Sequence, residues 1–128
     1  MINSEVSILD QHRYEHRTWL RMLDFFKQEN AFLKTRLSEV LDHNTDKQFL
    51  ALAEQFQNQF IIKDDFIDEL KHDINELDQL YAIMMIGPKP GNKNPEMKQN
   101  KLRNEMEYLE KSFAELKNEF NKYLISVL

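Results

Sequence analysis

The chain has only two glycines and three prolines in 128 residues, and all five lie in one stretch, GPKPGNKNP at residues 87–95. Glycine and proline interrupt regular secondary structure most strongly, and folds made of many short strands use them at most turns. Outside this stretch the chain can therefore form few tight turns, which favours long helices. Within it, Gly87 suits the end of one helix, and Asn94 followed by Pro95 suits the N-cap and first position of the next.

A second interruption is predicted at HNTD, residues 43–46. Asn44 or Thr45 can cap the helix that follows, and Thr45 with Gln48 has the spacing of a capping box. The segment KQEN at residues 27–30 contains neither glycine nor proline, so we expect the first helix to continue through it.

Apolar residues between these interruptions recur at alternating steps of three and four, the spacing of helices that each bury one stripe of side chains. The stripes run from Leu9 to Val40, from Phe49 to Met84 and from Leu102 to Val127. Alternating apolar and polar residues, the signal of a strand, are not sustained anywhere. The sequence therefore predicts a single all-α domain over residues 1–128, an up-down-up antiparallel bundle of three long helices. The helices are expected at about 4–43, 46–86 and 95–127.

Composition and charge narrow the possible classes of function. The chain has no cysteine, which excludes disulfides, thiolate metal sites and cysteine nucleophiles. Its net charge of −5 is mixed along the chain and lacks the basic stripe of a nucleic-acid-binding protein. The N-terminus lacks the features of a secretory signal, and the longest apolar run, YAIMMI, is far too short to cross a bilayer. We therefore expect a cytoplasmic protein with no nucleic-acid partner and no membrane span.

Two histidines occupy positions of the first stripe at which apolar residues are expected. His12 and His16 are four residues apart, so both imidazoles lie on one face of the predicted helix. Helical bundles build metal sites from inward-facing histidines and carboxylates on adjacent helices. Counting from the two turns brings three carboxylates to the same height, which gives a candidate site for zinc, iron or manganese. These carboxylates are Asp73, Glu76 and Glu105.

A structural role for His12 and His16 is the competing interpretation. A buried neutral imidazole avoids the penalty of an unsatisfied polar group, about 1–3 kcal/mol, when it pairs with a carboxylate or a tyrosine. In that case no cofactor is expected. His72 lies off the second stripe, and we expect it to face solvent. The partners within reach of His12 and His16 are Tyr81, Tyr108, Asp78 and Glu105.

The pair His12 and His16 resembles the histidine ligands of hemerythrin-like and ferritin-like metal bundles. Those families use four helices with ligands on several of them, whereas this chain has three predicted helices and no Glu-x-x-His pair on the second or third. The resemblance implies a helical fold and the option of metal binding, and it supplies no further ligand. Spectrin-type repeats are similar in being three-helix bundles with a tryptophan in the first helix, as Trp19 is here. This similarity implies at most a scaffold-like use of the fold.

Apolar side chains also flank the stripes, and some of them are candidates for an exposed patch. Such a patch would mark a surface for a protein partner or for self-association, including a homodimer, and the alternative is that these residues complete the monomer core. Three polar residues at similar heights are expected to form a layer that fixes the register of the helices. The patch residues are Phe25, Phe32, Ile62 and Phe66, and the polar layer consists of Asn30, Lys63 and Glu119.

The sequence carries no signature of a common catalytic site. It has no nucleotide-binding glycine loop, no HExxH motif and no nucleophile elbow. We therefore predict a non-enzymatic helical bundle that acts as a protein-interaction or scaffold module. The alternative is a metal-binding bundle with His12 and His16 as ligands.

Overall fold

The computed structural model describes residues 4–44, 46–87, 91 and 94–127. These residues form three helices and no strand, and the helices pack against one another as an all-α bundle. The predicted fold class is confirmed, and the first helix continues through residues 27–30 without interruption. The helices are α1 at Ser4–Leu41, α2 at Lys47–Ile86 and α3 at Pro95–Val127.

Side-chain contacts between the helices show their relative directions. Contacting residue numbers fall on α2 as they rise on α1, and they fall on α3 as they rise on α2, so each turn reverses the chain. Consequently α1 and α3 run parallel to each other. The contacts are Arg13–Asp78 and Lys27–Asp68 between α1 and α2, Lys63–Ser112 and Tyr81–Pro95 between α2 and α3, and Glu15–Arg103 and Glu29–Lys117 between α1 and α3.

The start of α2 differs in detail from the prediction. Asp46 is the N-cap, because its carboxylate accepts hydrogen bonds from the backbone N–H groups of Gln48 at 2.8 Å and Phe49 at 3.4 Å. Asn44 instead accepts a hydrogen bond from the backbone N–H of Asp46 at 3.0 Å. The prediction of Asn44 as the cap is therefore wrong, and Thr45 lies outside the described residues.

The ends of the second turn agree better with the sequence. Pro95 is the first residue of α3, and the Asn94 side chain accepts a hydrogen bond from the backbone N–H of Met97 at 3.1 Å, so the predicted cap is confirmed. Gly87 follows α2 with a φ of −150°, an extended conformation that any residue can adopt. Its place in the chain therefore reflects the end of the helix rather than a need for left-handed backbone.

The core is one cluster of apolar side chains drawn from all three helices. Most positions of the three predicted stripes are buried within it, because the alternating steps of three and four keep them on the inward faces. No helix in the described part of the chain combines the length and the apolar character that a membrane span requires. The side chains with no exposed surface at all include Leu23, Phe60, Ile67, Ile74, Leu109 and Phe120.

The three pairs of helices differ in how closely they pack. Contact between α1 and α2 is the most extensive, and contact between α1 and α3 is the least. The looser packing leaves an open surface between α1 and α3, which we call the α1–α3 groove. It has a volume of about 580 Å³ and is lined on its apolar side by Met22, Phe25, Phe26, Phe113 and Ala114.

Candidate functional site

His16 is the buried centre of a polar cluster that joins all three helices. Its side chain is 1% exposed. The ring atom Nδ1 lies 2.9 Å from Oδ1 of Asp78 on α2, and Nε2 lies 2.6 Å from Oε1 of Gln99 on α3. Both nitrogens therefore have a hydrogen-bond partner within the bundle, and a metal ion would have to displace one of them.

Two arginines extend this cluster on either side. Arg13 donates to both carboxylate oxygens of Asp78, each at 3.3 Å. On the other side Gln99 donates from Nε2 to Glu15 at 2.6 Å. Arg103 donates to the two oxygens of Glu15 at 2.6 and 3.0 Å. We call the resulting chain of hydrogen bonds the His16 network, and its members in order are Arg13, Asp78, His16, Gln99, Glu15 and Arg103.

Both carboxyl groups of the His16 network are held in the charged form. Burial alone would raise the pKa of Asp78, but hydrogen bonds from Arg13 and His16 outweigh burial and hold the pKa below its usual value of 3.8. The pKa of Glu15 is lowered in the same way, because hydrogen bonds from Arg103 and Gln99 outweigh the effect of burial. Each carboxylate is therefore a permanent acceptor at neutral pH.

His12 lies one turn before His16 and stacks on the same tyrosine. The ring centroids of both histidines are 5.6 Å from that of Tyr81. Burial lowers the pKa of His12, with the negative charge of Glu15 opposing that effect. Burial also raises the pKa of Tyr81 to about 12, and its hydroxyl donates to the carbonyl oxygen of Pro95 at 3.0 Å. Tyr81 is thus a neutral phenol that supports both imidazoles.

The structure separates the predicted carboxylate ligands from the two histidines. Asp73, Glu76 and Glu105 line a cleft of about 430 Å³ between α2 and α3. His16 instead contacts Asp78, on the side of α2 that packs against α1. Counting from the turns predicts the height of a residue along the bundle, but it does not decide which side of the helix the residue occupies. The predicted set of five ligands is therefore not brought together around His16.

A histidine lies beside two residues that line the cleft between α2 and α3, Asp73 and Glu76. His72 is exposed, as its position off the stripe predicts, and its Nε2 lies 3.4 Å from Oε1 of Glu76. Ligand atoms of His72, Asp73 and Glu76 all lie within 4.8 Å of one another. Burial raises the pKa of Glu105, with Lys101 opposing this rise and the charge of Asp73 adding to it. Among the described residues, the group with the composition and spacing to bind a cation is His72, Asp73 and Glu76.

The residues of the predicted polar layer make separate contacts. Asn30 is fully buried and donates to the Asp64 carboxylate at 2.8 Å, which ties α1 to α2. Lys63 donates to Ser112 Oγ at 2.8 Å, which ties α2 to α3. Glu119 is exposed. The structure therefore does not bring the three together, and their role in fixing register stays a prediction.

The four apolar residues predicted as a patch fall on two different faces. Phe25 and Phe32 lie on α1 and are 57% and 64% exposed, and Phe25 lines the α1–α3 groove. Phe66 is half-buried on α2, and its ring lies 6.1 Å from that of Tyr108 on α3. Ile62, one turn before Phe66, is 62% exposed. The predicted patch thus divides into a pair on α1, Phe25 and Phe32, and a pair on α2, Ile62 and Phe66. The role of each pair in binding stays a prediction.

The α1–α3 groove has an apolar floor and charged edges. Phe26 and Phe113 meet across the floor, with ring centroids 5.3 Å apart. Lys117 donates to Glu29 at 2.9 Å and closes one end, while the other end continues along α1 past Trp19. Charged side chains of both signs border it: Arg21, Glu29, Glu110 and Lys117.

The sequence analysis named His16 and Asp78 of the His16 network and omitted Gln99, Arg13, Glu15 and Arg103; Gln99 is the buried one of the four. Its side chain is 1% exposed, and it lies three residues before Leu102, at a position that continues the third stripe. A polar residue on that stripe, at the height of the two histidines, was the available signal.

No protein-family model matches the chain, and no curated protein or solved structure is significantly similar to it. The case for a function therefore comes from the residues themselves. The features that bear on it are the α1–α3 groove, the His16 network and the group of His72, Asp73 and Glu76.

Proposed function

We propose that this three-helix bundle is a protein-interaction or scaffold module without catalytic activity, and that it binds through the α1–α3 groove. The observation that supports this most directly is the exposure of Phe25 in a groove with an apolar floor, with Phe32 also exposed two turns further along α1. Contiguous apolar surface of this kind on a soluble protein commonly marks a binding site. In keeping with the absence of cysteine, we expect the protein to act in the cytoplasm.

The shape of the groove favours one kind of ligand, an amphipathic helix. Two parallel helices that pack loosely leave space for a further helix along their shared face, which is the helix-in-groove mode of recognition. The open surface runs along α1 from Ile8 to Glu29, about 32 Å at 1.5 Å per residue. The ligand would then be a helix of roughly six turns, supplied by a partner protein or by a second copy of this chain.

Phe25 and Phe32 are the proposed anchor residues of this surface. Complete burial of a phenylalanine side chain contributes roughly 1.5–3 kcal/mol, and more than half of each side chain is exposed. Their burial by a bound helix would therefore contribute about 1–2 kcal/mol each. The mixed charges at the edges of the groove would set the orientation of the helix rather than most of its affinity.

A photo-crosslinking amino acid at position 25 tests the proposal, with the same amino acid at position 62 on the other face as the matched control. We expect crosslinks from position 25 to an apolar helix face of a partner or of a second copy, and few from position 62. The isolated complex should weaken about tenfold or more in the double variant Phe25→Gln, Phe32→Gln and remain unchanged in Ile62→Gln. Equal crosslinking at the two positions would contradict the proposal, as would a chain that crosslinks to nothing and sediments as a monomer at every concentration.

A cation site is the second candidate, and the observation that favours it is the grouping of His72, Asp73 and Glu76. Two ligands that each lie about 2.1 Å from a zinc ion are at most roughly 4.2 Å apart, so small side-chain rotations would bring these groups to one ion. Zinc, iron and manganese all accept such ligands. The pair His12 and His16 remains the competing ligand set, and it requires His16 to release Asp78 or Gln99.

Elemental analysis of freshly purified, untagged protein separates these two ligand sets. Stoichiometric metal that disappears in Asp73→Asn, Glu76→Gln would assign the site to the cleft between α2 and α3. Metal that disappears in His12→Gln and persists in the cleft variant would assign it to the histidine pair. Protein without metal that also fails to bind added zinc in a calorimetric titration would remove the cation site from consideration.

A further inference from the structure

Five residues of α1 form a row along the α1–α3 groove and just beyond it. They follow one another at steps of three or four residues, so their side chains share one face of the helix. Arg21 and Glu29 lie four residues before and after Phe25 and have opposite charges, and the ends of the row lie seven residues before and after it. The spacing is therefore symmetric about Phe25, and the charge changes sign there. The members of the row are Thr18, Arg21, Phe25, Glu29 and Phe32, of which the first four line the groove.

The edge of the groove formed by α3 carries a matching pair of charges. Contacting residues of α1 and α3 differ by 88 in number at two separate places, which puts Phe113 level with Phe25. Glu110 lies three residues before Phe113, and Lys117 lies four residues after it. On α1 the positive charge comes first, whereas on α3 the negative charge comes first. The four charges that border the groove therefore alternate in sign around it.

A surface with this alternation of charge complements itself. When it is turned through 180° and placed against an identical surface, each charge meets one of opposite sign, as the isologous interface of a two-fold dimer requires. We propose that the occupant of the α1–α3 groove is a second copy of this chain, bound about a two-fold axis at the level of Phe25 with the two α1 helices antiparallel. This inference rests on the proposed binding surface and names its partner.

The antiparallel arrangement supplies partners for charges that the single chain leaves unpaired. Within the described part of the chain, Arg21 donates to the hydroxyl of Thr18 at 3.4 Å and has no carboxylate partner. In the dimer, Arg21 of each copy lies opposite Glu29 of the other, and Glu110 lies opposite Lys117. Each end of the interface then holds two positive and two negative side chains. A parallel pairing of the two α1 helices would instead place like charges opposite each other at both positions.

The same arrangement accounts for the exposure of Phe32, which lies beyond the groove of its own chain. Across the two-fold axis, Phe32 lies opposite Thr18 of the second copy and beside Met22, in that copy's groove. The two Phe25 side chains meet at the axis. A parallel pairing of α1 with α3 of the second copy would also match charges, but it would place Phe32 opposite the exposed Asn121. The antiparallel pairing of α1 with α1 is therefore the one that buries both phenylalanines.

Charge reversal tests the pairing, because mixing two variants should undo its effect. Arg21→Glu places like charges opposite each other at both ends of a homodimer, and so does Glu29→Arg. Each variant should dimerise about tenfold or more weakly than the wild-type chain in analytical ultracentrifugation. An equimolar mixture of the two should recover the wild-type affinity, since the reversed residue of each variant then faces the reversed residue of the other.

Two control variants change the net charge by the same amounts at exposed positions of α2. Lys47→Glu matches Arg21→Glu, and Glu54→Arg matches Glu29→Arg, and both should leave the dimer unchanged. Equal weakening by a variant and its control would overturn the proposal. Glu29→Arg also removes the ion pair with Lys117, and if that variant does not fold, Arg21→Glu and its control decide together with the distance measurement below.

A spin label on a cysteine introduced at position 39 measures the register, since the chain has no cysteine of its own. Glu39 is exposed and continues the row at a further seven residues beyond Phe32. The antiparallel dimer separates the two labels by about 42 Å along the helix axis, whereas either parallel pairing keeps them within about 20 Å. A short distance would overturn the proposal, as would a wild-type chain that remains monomeric at about 1 mM.

The crosslink from position 25 separates this failure from failure of the binding surface itself. Crosslinks to a different protein, with a chain that does not self-associate, would retain the α1–α3 groove as the binding surface and overturn the second copy as its occupant. A chain that neither self-associates nor crosslinks would overturn both proposals.

Discussion

Gln99 on α3 and His16 on α1 are joined by a 2.6 Å hydrogen bond in the interior of the bundle, although 83 residues separate them in the chain. Each occupies a position where the stripe of its helix would otherwise place an apolar side chain. Of the three helix pairs, α1 and α3 pack least closely. Near His16 this polar contact takes the place of apolar packing between them. One register of α3 along α1 brings the two groups together, so the bond selects that register as well as stabilising it.

Asp78→Asn tests how much the His16 network contributes to stability. The substitution keeps the shape of the side chain and removes the charge that accepts hydrogen bonds from Arg13 and His16. We expect the free energy of unfolding in urea to fall by about 1–3 kcal/mol, because the buried His16 and the partly buried Arg13 lose a charged acceptor. Asp65→Asn, at an exposed position of the same helix, should change it by less than about 0.5 kcal/mol. Equal effects of the two substitutions would show that the network contributes nothing specific.

The lowered pKa values of Asp78, Glu15 and Asp64 predict sensitivity to acid. Burial would raise the pKa of Asp64, but hydrogen bonds from Lys34 and Asn30 outweigh it. Each carboxyl therefore binds its proton more weakly in the folded state than in the unfolded state. Its stabilising contribution is complete above the usual pKa values, 3.8 for aspartate and 4.5 for glutamate, and is lost as the pH falls through the lower folded values.

Urea denaturation at a series of pH values checks this prediction. The free energy of unfolding should decline steadily below about pH 4.5 in the wild-type chain. In the double variant Asp78→Asn, Glu15→Gln the decline should be shallower, because two of the three carboxyl groups no longer titrate. An unchanged slope in the double variant would mean that other groups cause the acid sensitivity.

The fold follows from the sequence because helix formation depends on local signals that one sequence displays. The scarcity of glycine and proline, together with three long stripes of mostly apolar residues, is enough to give three helices and their direction. Helix ends are less well determined, since neighbouring residues compete for the same role. Asn44 and Asp46 both suit an N-cap, and it is Asp46 whose carboxylate reaches the free N–H groups of α2.

The site was harder to predict because it depends on which side of a helix faces which neighbour. Asp73 and Asp78 lie little more than one turn apart on α2, but five residues correspond to about 140° of rotation, so they face different helices. The same uncertainty affects Phe25 and Ile62, which are both more than half exposed and lie on different faces of the bundle. A spacing pattern gives the angle between two residues on one helix, and only packing gives the neighbour that each one meets.

The cap of α2 offers a test of local stabilisation. Asp46→Ala removes the acceptor for the first free N–H groups of the helix, so we expect the free energy of unfolding to fall by about 1 kcal/mol. Asp46→Asn retains a capping oxygen and should recover most of the loss. Thermal and urea denaturation of both variants measure the difference. If Asn and Ala at this position are equally destabilising, the charge of Asp46 rather than its capping bonds is responsible.

Substitution of two phenylalanines, one buried and one exposed, distinguishes a role in the core from a role in the proposed binding surface. Phe60 has no exposed surface and packs edge-to-face on Phe120 with ring centroids 5.1 Å apart, so Phe60→Ala should cost about 3–5 kcal/mol in free energy of unfolding. Phe25 is 57% exposed, and Phe25→Ala should cost less than about 1 kcal/mol. A large loss of stability in Phe25→Ala would mean that Phe25 serves the fold of the monomer, and the α1–α3 groove would then lose one of its two proposed anchors. A small loss would mean that the monomer does not need Phe25 for its stability. The position of Phe25 in the α1–α3 groove would then be explained by binding rather than by folding.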